Sequence, residues 1–500
     1  MSRTKYIVSG VSWTVIQNVV NILYGIVCVP FLINYFGKDE YGLIGLALSV
    51  NVYIHLFDMG MTNSNVRFFS EYIAIGNQEK LQKLFSLTHL FYTIIGIFNT
   101  VILFGLSFCV DVLFKVTPEQ AITLRNLLWI LALNATFSWI SICFDQLLRA
   151  NELIDWIKKR LIILKVLQFV VLLSTILFHF SIEVYFFGYI FMATVILPLT
   201  VIKAKKIMPS LILNWRFDKE VFQTVFPYAF GIFSFSIFHF MAFNFRPLFL
   251  GGMAGPGAVA EFNIMYTITQ VVTILSGSFM QVLLPVVTKM KVKSEGQAIN
   301  RIIFTGTKYA NILLSVLIVL LIINSQDLLN LYVGSEYIML SPWLVLWLLT
   351  LLLSHRNVMT ALVFTEKKIK SVAVMGAVAM CLALICYVTL IPRYGVGGVV
   401  IGFTVHELTH ALFYYFYFLP RKFRIDTKTV FLRAVLPVWL GLGIAGIIVY
   451  YGFHFFSLDT LTNVILKTLV CLALIIPVIW KMLFDDNDRA FVLSFIQRRH

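Results

Sequence analysis

The stretch LIILKVLQFVVLLSTILFHFSIEVYFFGYIFMATVILPLTVI, residues 161–202, decides the fold. It contains two apolar runs, 161–180 and 183–202, each about 20 residues long and so able to cross hydrocarbon as a helix. Between them stand only a few polar residues around His179, Ser181 and Glu183. Lys158, Lys159 and Arg160 precede the pair, and Lys203, Lys205 and Lys206 follow it. Neither run alternates in polarity residue by residue, as a barrel strand would. Backbone groups in lipid must be satisfied internally, so the segment reads as a helical hairpin with both open ends on one basic face.

The rest of the chain repeats this pattern. Of 500 residues 60% are hydrophobic and 13% charged, against about 25% charged in soluble domains. The mean hydropathy is +0.89. About fourteen spans follow from length and hydropathy, at 8–33, 42–62, 85–108, 123–146, 161–180, 183–202, 222–250, 258–288, 303–324, 338–364, 371–391, 395–419, 430–452 and 461–484. The expected class is an all-α polytopic membrane protein. The first run contains Trp13, Gln17, Asn18 and Asn21 and no small-residue cleavage site, so it reads as an uncleaved span and not a signal peptide.

Alternate loops are basic. One set carries Arg3/Lys5, Arg67/Lys80/Lys83, Arg149/Lys158/Lys159/Arg160, Lys203/Lys205/Lys206, Lys289/Lys291/Lys293, Lys367/Lys368/Lys370 and Arg421/Lys422/Arg424, while the other offers little beyond Lys38, Lys115 and Arg393. The positive-inside rule places both termini in the cytoplasm of a plasma membrane. The net charge of +15 is spread over these loops, which suits anionic lipid and not nucleic acid. Residues 203–220 form the longest such link, with Ile207, Leu211, Leu213, Trp215 and Phe217 among basic residues, and read as an interfacial stretch joining two halves.

Weak internal repetition supports two halves. Phe31-Leu32, Gly37 and Gly42 are echoed by Phe249-Leu250, Gly255 and Ala260. Both halves start on the cytoplasmic side, so the repeat is parallel. The expected organisation is a bundle over 1–206, a second over 207–420, and two further helices with a cytoplasmic terminus over 421–500.

Polar residues inside spans are costly and mark cavities or partners. Asn51, His55, Asp58 and Thr62 share a helical face in the second span. Gln17 and Asn21 lie between Trp13 and Tyr24 on one face of the first, and Gln270 heads a stripe on the eighth. Each stripe reads either as the lining of a wet cavity or as helix-to-helix glue. His239, Phe243 and Arg246 share a face of the seventh span. Arg246 either snorkels to the outer interface or offers its planar fork of donors to phosphate. His355 and Arg356 in the tenth carry the same two readings. Arg125, Lys308 and Lys467, near span ends, read as snorkelling side chains.

His406-Glu407-Leu408-Thr409-His410 matches H-E-x-x-H, the zinc metalloprotease motif. Zinc needs a third protein ligand, and Asp426, Asp459 and Asp485 all lie outside the spans. A protonatable relay of His406, Glu407 and His410, or a plain polar contact between helices, are the other readings. The six cysteines show no C-x-x-C pair and read as small apolar residues. No phosphate-binding G-x-x-x-x-G-K-[ST] loop occurs, and no cofactor is implied.

Three stretches resemble one family. YGLIGLALSVNVYIHLFDMGMTNSNVRFFSEYIAIGNQEKLQKLF (Tyr41 to Phe85) is similar to the second helix and following loop of bacterial polysaccharide flippases of the O-antigen type. VAEFNIMYTITQVVTILSGSFMQVLLPVVTK, within Gly255 to Lys289, is similar to their eighth helix. Phe364 to Phe413 is similar to their eleventh and twelfth, including Pro392-Arg393-Tyr394-Gly395. The resemblance implies membership of the multidrug/oligosaccharidyl-lipid/polysaccharide exporter superfamily, with two six-helix bundles around a central cavity and two extra C-terminal helices. It implies movement of undecaprenyl-pyrophosphate-linked glycans from the inner to the outer leaflet by alternating access, alongside polysaccharide polymerase and glycosyltransferases, and not an enzyme activity. It also implies a cationic cavity residue for the pyrophosphate, for which Arg246 is the candidate, although the family often has an acidic residue before this arginine. A cation-coupled drug exporter of the same superfamily is the alternative.

Overall fold

The computed structural model describes residues 3–292, 296–363, 370–453, 459–486 and 488–489. Among them every element is helical. Thirteen segments are long and apolar enough to cross a membrane, and the helix Lys219–Asn244 stands where the sequence places a seventh span. The protein is an all-α polytopic membrane protein, as its sequence implies.

The helix starts are written locally. Asn77 accepts from the Lys80 backbone at 2.9 Å to open Gln78–Ser107. Thr117 and Gln120 form a reciprocal capping box ahead of Pro118–Ala150, with Pro118 in the first turn, where its missing N–H costs nothing. Asp459 caps Thr460–Val478.

Among the described residues the last three spans carry short π-helical stretches, Tyr414–Phe418, Phe431–Val435 and Ile479–Leu483, and the second, seventh and tenth spans are interrupted. The second runs as Lys38–Ile54, tightens into the 3-10 turn His55–Asp58, and restarts as Met61–Ala74. Met59 and Gly60 between them take left-handed backbone, φ 47° and 78°. A β-carbon on Gly60 would collide with the Ala229 carbonyl, so glycine serves both the turn and the close approach. The seventh breaks at Phe245 and restarts at Arg246-Pro247 as Arg246–Met253. The tenth changes from Ser341–Leu351 to a 3-10 turn, Leu352–Arg356, before Asn357–Val363. Non-helical backbone at membrane depth is tolerated where protein covers it or where it lines a cavity.

By contact density the chain forms two compact units. The first comprises Met1–Ile264 and Tyr387–Val396. Its core includes the fully buried Leu81, Leu84, Leu103, Leu124, Leu127 and Leu128 from the third and fourth spans. Those spans are stitched further by Thr100, whose hydroxyl donates to Ala132 O at 3.1 Å and meets Thr136 Oγ1 at 2.9 Å. Gly37 and Gly255, the repeated pair, have φ of 95° and 93°. Gly42, in the second span, abuts the carbonyl of Pro256 so closely that no side chain fits. The link after the sixth span is non-helical from Met208. It is pinned to the third by a reciprocal pair, Ile212 N to Gln82 Oε1 at 2.9 Å and Gln82 Nε2 to Ile212 O at 2.8 Å. Trp215 stacks on His89 at 6.2 Å.

The second unit comprises Met265–Cys386 and Gly397–His500. The last two spans, Leu436–Phe453 and Thr460–Val478 with their short extensions, pack on Gly296–Ile323 through Ile312, Ile323, Leu442, Val449, Cys471 and Ile475. Lys308 and Lys467 do not snorkel. Lys467 meets Asp327 at 2.7 Å and Lys308 meets Asp488 at 2.6 Å, both lysine side chains about nine-tenths buried. A carboxylate within reach relieves the desolvation that would otherwise drive them to the interface.

Candidate functional site

The polar residues of the second span face the third and fourth. Asn51 Oδ1 accepts from Asn99 Nδ2 at 3.2 Å. His55 is exposed, and its ring lies 4.8 Å from that of Trp139. Asp58 accepts from Tyr92 Oη at 2.7 Å, from Thr62 Oγ1 at 2.8 Å and from the Thr62 backbone N–H at 3.2 Å. Gln146 Nε2 donates to Tyr92 Oη at 2.6 Å and Thr62 Oγ1 at 3.2 Å, and Gln146 Oε1 accepts from Asn65 at 3.0 Å. The 4–3–4 spacing on a single helix is therefore not how these groups meet. The break brings Asp58 over the first turn of the restarted helix, where its carboxylate satisfies an orphan N–H.

The stripe of the first span faces the fifth. Lys159 lies 4.7 Å from the Trp13 ring centre, Lys158 donates to Gln17 Oε1 at 3.1 Å, and Lys165 lies 4.5 Å from the Tyr24 ring centre. Asn21 sits within this ladder with its Oδ1 buried and without a hydrogen-bond partner. Gln17 and Asn21 thus occupy a different place from Asn51, His55 and Asp58.

Arg246 opens the helix that follows the break in the seventh span. It is 3% exposed, donates Nε–H to Phe243 O at 2.9 Å, and lies between the rings of Phe243 and Phe262 at 5.1 and 5.3 Å. Its neighbour Phe245 stacks on Tyr53 at 4.6 Å, and Tyr53 donates to Asn244 O. The side chain of His239 lies outside the described residues. Gln270 is half-buried on Pro256–Val292.

In the second unit Arg356 joins the H-E-x-x-H segment. Its guanidinium donates to Glu407 Oε2 at 2.7 Å and to the Glu407 main-chain oxygen at 3.0 Å. Glu407 Oε1 lies 3.2 Å from His406 Nδ1, and the rings of His406 and His410 are 4.7 Å apart. The two imidazoles do share a face. The glutamate is bound to an arginine, and among the described residues no three His, Cys, Asp or Glu side chains are grouped to hold a metal. His355 meets Tyr415 Oη at 2.6 Å and Leu352 O at 2.7 Å.

Sequence reasoning singled out Asp58, Arg246 and Arg356, and each stands at a helix discontinuity. It missed Tyr92, Gln146, Asn65, Asn99 and Trp139. A lone Gln in the fourth span, and Tyr92 and Asn99 two turns apart on one face of the third, were the available signal. It also left Arg356 and Glu407 unpaired, although two opposite charges isolated in neighbouring spans are natural partners.

A chain of this kind, with charges at broken membrane helices, belongs to the class of polytopic helical membrane proteins. By sequence, residues 7–291 match the family model described as polysaccharide biosynthesis protein, and the chain belongs to that family. Compared with curated proteins, it matches none. Its fold is similar to that of a solved structure titled lipid II flippase MurJ, inward closed conformation, with TM-score 0.72, 14% identity, and coverage of 94% of this chain and 97% of that one. It is similar to an inward-facing multidrug resistance MATE family transporter of the MOP superfamily, TM-score 0.67 at 13% identity, covering 83% of this chain and 95% of that one. A third match is the MATE multidrug transporter DinF-BH, TM-score 0.60 at 16% identity, covering 83% of this chain and 96% of that one. The recognition made from the sequence is borne out: a polysaccharide-biosynthesis family member with the fold shared by flippases and exporters of the MOP superfamily.

Proposed function

We propose that the protein moves an undecaprenyl-pyrophosphate-linked oligosaccharide from the inner to the outer leaflet of a bacterial plasma membrane by alternating access, for surface polysaccharide or O-antigen assembly. The observation that carries this reading is the family match over residues 7–291, joined to a fold shared along almost its whole length with a lipid II flippase. The residues present are suited to the task. A glycan head brings hydroxyls that are costly bare in hydrocarbon. Gln17, Asn21, Asn51, His55 and Gln270 are the groups assigned to them, with His239 beside them on the sequence pattern alone. Arg246 is assigned to the pyrophosphate, for which a guanidinium is the apt donor. The prenyl tail needs apolar room. A cavity of about 500 Å³ in the second unit, lined by Ile318, Ile322, Val345, Leu349, Leu442 and Tyr450 among others, is of that character.

Arg356, Glu407, His406 and His410 are assigned to the conformational cycle, because a buried ion pair with adjoining imidazoles can redistribute charge as the spans move. Both termini are assigned to the cytoplasm, with the glycan's polymerase and glycosyltransferases as working partners.

The test is reconstitution. Vesicles carrying a short lipid-linked saccharide are exposed to an impermeant glycosidase, and protein-containing vesicles should lose nearly all the saccharide where empty vesicles lose about half. If the saccharide stays half-protected while a cationic dye is transported, the drug-exporter reading takes its place.

A further inference from the structure

A slot of about 650 Å³ lies wholly within the first unit, between the second, third and seventh spans. Its floor is Tyr53 and Phe57 at the break of the second span, and one wall is Ile102 and Leu106 near the end of the third. The other wall is Phe245, Leu248, Phe249, Gly252 and Met253, from the break of the seventh span to its end. Every lining residue is apolar except Tyr53, whose hydroxyl is spent on Asn244 O.

The segment after the third span roofs the slot. Leu113 and Phe114 line it, and the backbone N–H of Lys115 donates to Gly251 O at 2.9 Å. A β-carbon on Gly252 would stand 3.0 Å from Leu113 O, so glycine lets the roof down onto the seventh span. Phe57 and Leu113 are exposed, so the slot opens sideways. An empty apolar space forfeits dispersion contacts over its whole lining, and it takes apolar ligands in place of water. Within a membrane the apolar ligand at hand is a hydrocarbon chain. The wall from Phe245 to Met253 rises about 12 Å at about 1.5 Å per residue. That is close to the depth of one leaflet, half of a hydrocarbon core roughly 30 Å thick.

Charge stands at the roof end. Lys38 is held by Glu261 at 2.6 Å and Arg125 reaches Asp111 at 3.8 Å. Lys115, exposed beside Phe114, is in no ion pair among the described residues. It also belongs to the set of loops poor in basic residues, where a cation stands out. We propose that the slot seats one acyl chain of an anionic phospholipid from the leaflet opposite the basic loops, with the lipid phosphate drawn to Lys115. A phospholipid chain is about as long as its leaflet is deep and ends at the slot floor, whereas a prenyl carrier would overrun it. The seated chain braces the stack of Tyr53 on Phe245, which joins the breaks of the second and seventh spans. The site is argued without reference to what crosses the membrane, and it is tested by binding and not by transport. Its failure therefore leaves the lipid-linked glycan reading standing.

The experiment titrates full-length protein in detergent with phosphatidylglycerol, with phosphatidylcholine of the same chains, and with a polyprenyl phosphate, and counts bound lipid by native mass spectrometry. One saturable phosphatidylglycerol per chain is expected, held several-fold more tightly than phosphatidylcholine. Leu106→Trp fills the slot and should remove that adduct. Lys115→Glu should weaken phosphatidylglycerol several-fold and leave phosphatidylcholine unchanged. If Leu106→Trp does not fold, phosphatidylglycerol with a photoreactive group at its chain end carries the test on the unaltered protein, with crosslinks expected at Tyr53 or Phe57. The absence of a saturable adduct, or an adduct as strong in either variant as in the unaltered protein, overturns the proposal. So do crosslinks confined to places away from the slot, or a polyprenyl phosphate that displaces the phospholipid from it.

Discussion

Arg356 holds Glu407 twice, by the carboxylate at 2.7 Å and by the main-chain oxygen at 3.0 Å, so one guanidinium joins the 3-10 turn of the tenth span to the middle of the twelfth. Removing one member of such a pair is worse than removing both, because a lone buried charge remains. Arg356→Ala should lower stability by about 3–5 kcal/mol. Adding Glu407→Gln should recover a substantial part of that loss. Thermal unfolding of the two single variants and the double variant is the measurement, and simple additivity of the two losses would contradict the coupling.

Gly42 and Pro256 are in contact along a path where no β-carbon fits. Gly42→Leu must push the start of Pro256–Val292 away from the second span. Overpacking of this kind costs about 1–3 kcal/mol or more, and the expected result is a marked fall in folded protein recovered from the membrane. Gly76 has nothing within 4 Å of an added β-carbon, but its φ is 69°. Gly105, open and without that strain, is the proper control, and Gly105→Leu should leave recovery unchanged.

The C-terminal segment should be acid-sensitive. Burial acts to raise the Asp488 carboxyl, but hydrogen bonds from Lys308 and Tyr309 outweigh it and hold the group below the ordinary aspartate value. A carboxylate depressed in the folded state contributes stability that is present above the unfolded value, about 3.9, and lost as pH falls through the lower folded value. Hydrogen exchange at Asp485, Asp488 and Arg489 should therefore be slow at pH 6 and accelerate, relative to intrinsic rates, below about pH 4. Asp488→Asn should exchange quickly at both.

Arg246→Ala should abolish glycan translocation while membrane levels remain near normal. Arg246→Lys should restore little of it, because an ammonium lacks the planar fork that meets phosphate in two places. Wild-type rates in the alanine variant would remove Arg246 from the phosphate site.

The spans were legible because each is an apolar run bounded by charge, and the basic residues repeat on alternate loops. Their interruptions were only half legible. Gly60 signals a turn, but nothing marks Met59 as left-handed, and the 3-10 turn at Leu352–Arg356 contains no breaker. The stripe Asn51–Asp58 fits an ideal helix on paper, yet Asp58 and Thr62 meet because the helix stops between them. Partnerships across distant stretches, such as Lys467 with Asp327 or Arg356 with Glu407, depend on which spans lie side by side, and a one-dimensional pattern does not carry that. The stripe of the first span is visible as polar, but two of its partners, Lys158 and Lys159, look like loop charges, and Lys165 is a single cation inside an apolar run.

The link pinned by Gln82 and Ile212 behaves as a splint. Its middle is fastened to the third span by two main-chain-directed bonds, and Trp215 is wedged against His89. A protease site engineered just beyond Ile212 would cut the polypeptide without releasing its pieces, and the nicked molecule should still migrate as one body in mild detergent. Whatever bending the proposed translocation demands is then left to the interrupted spans, where the regular α-helical hydrogen bonding is already broken.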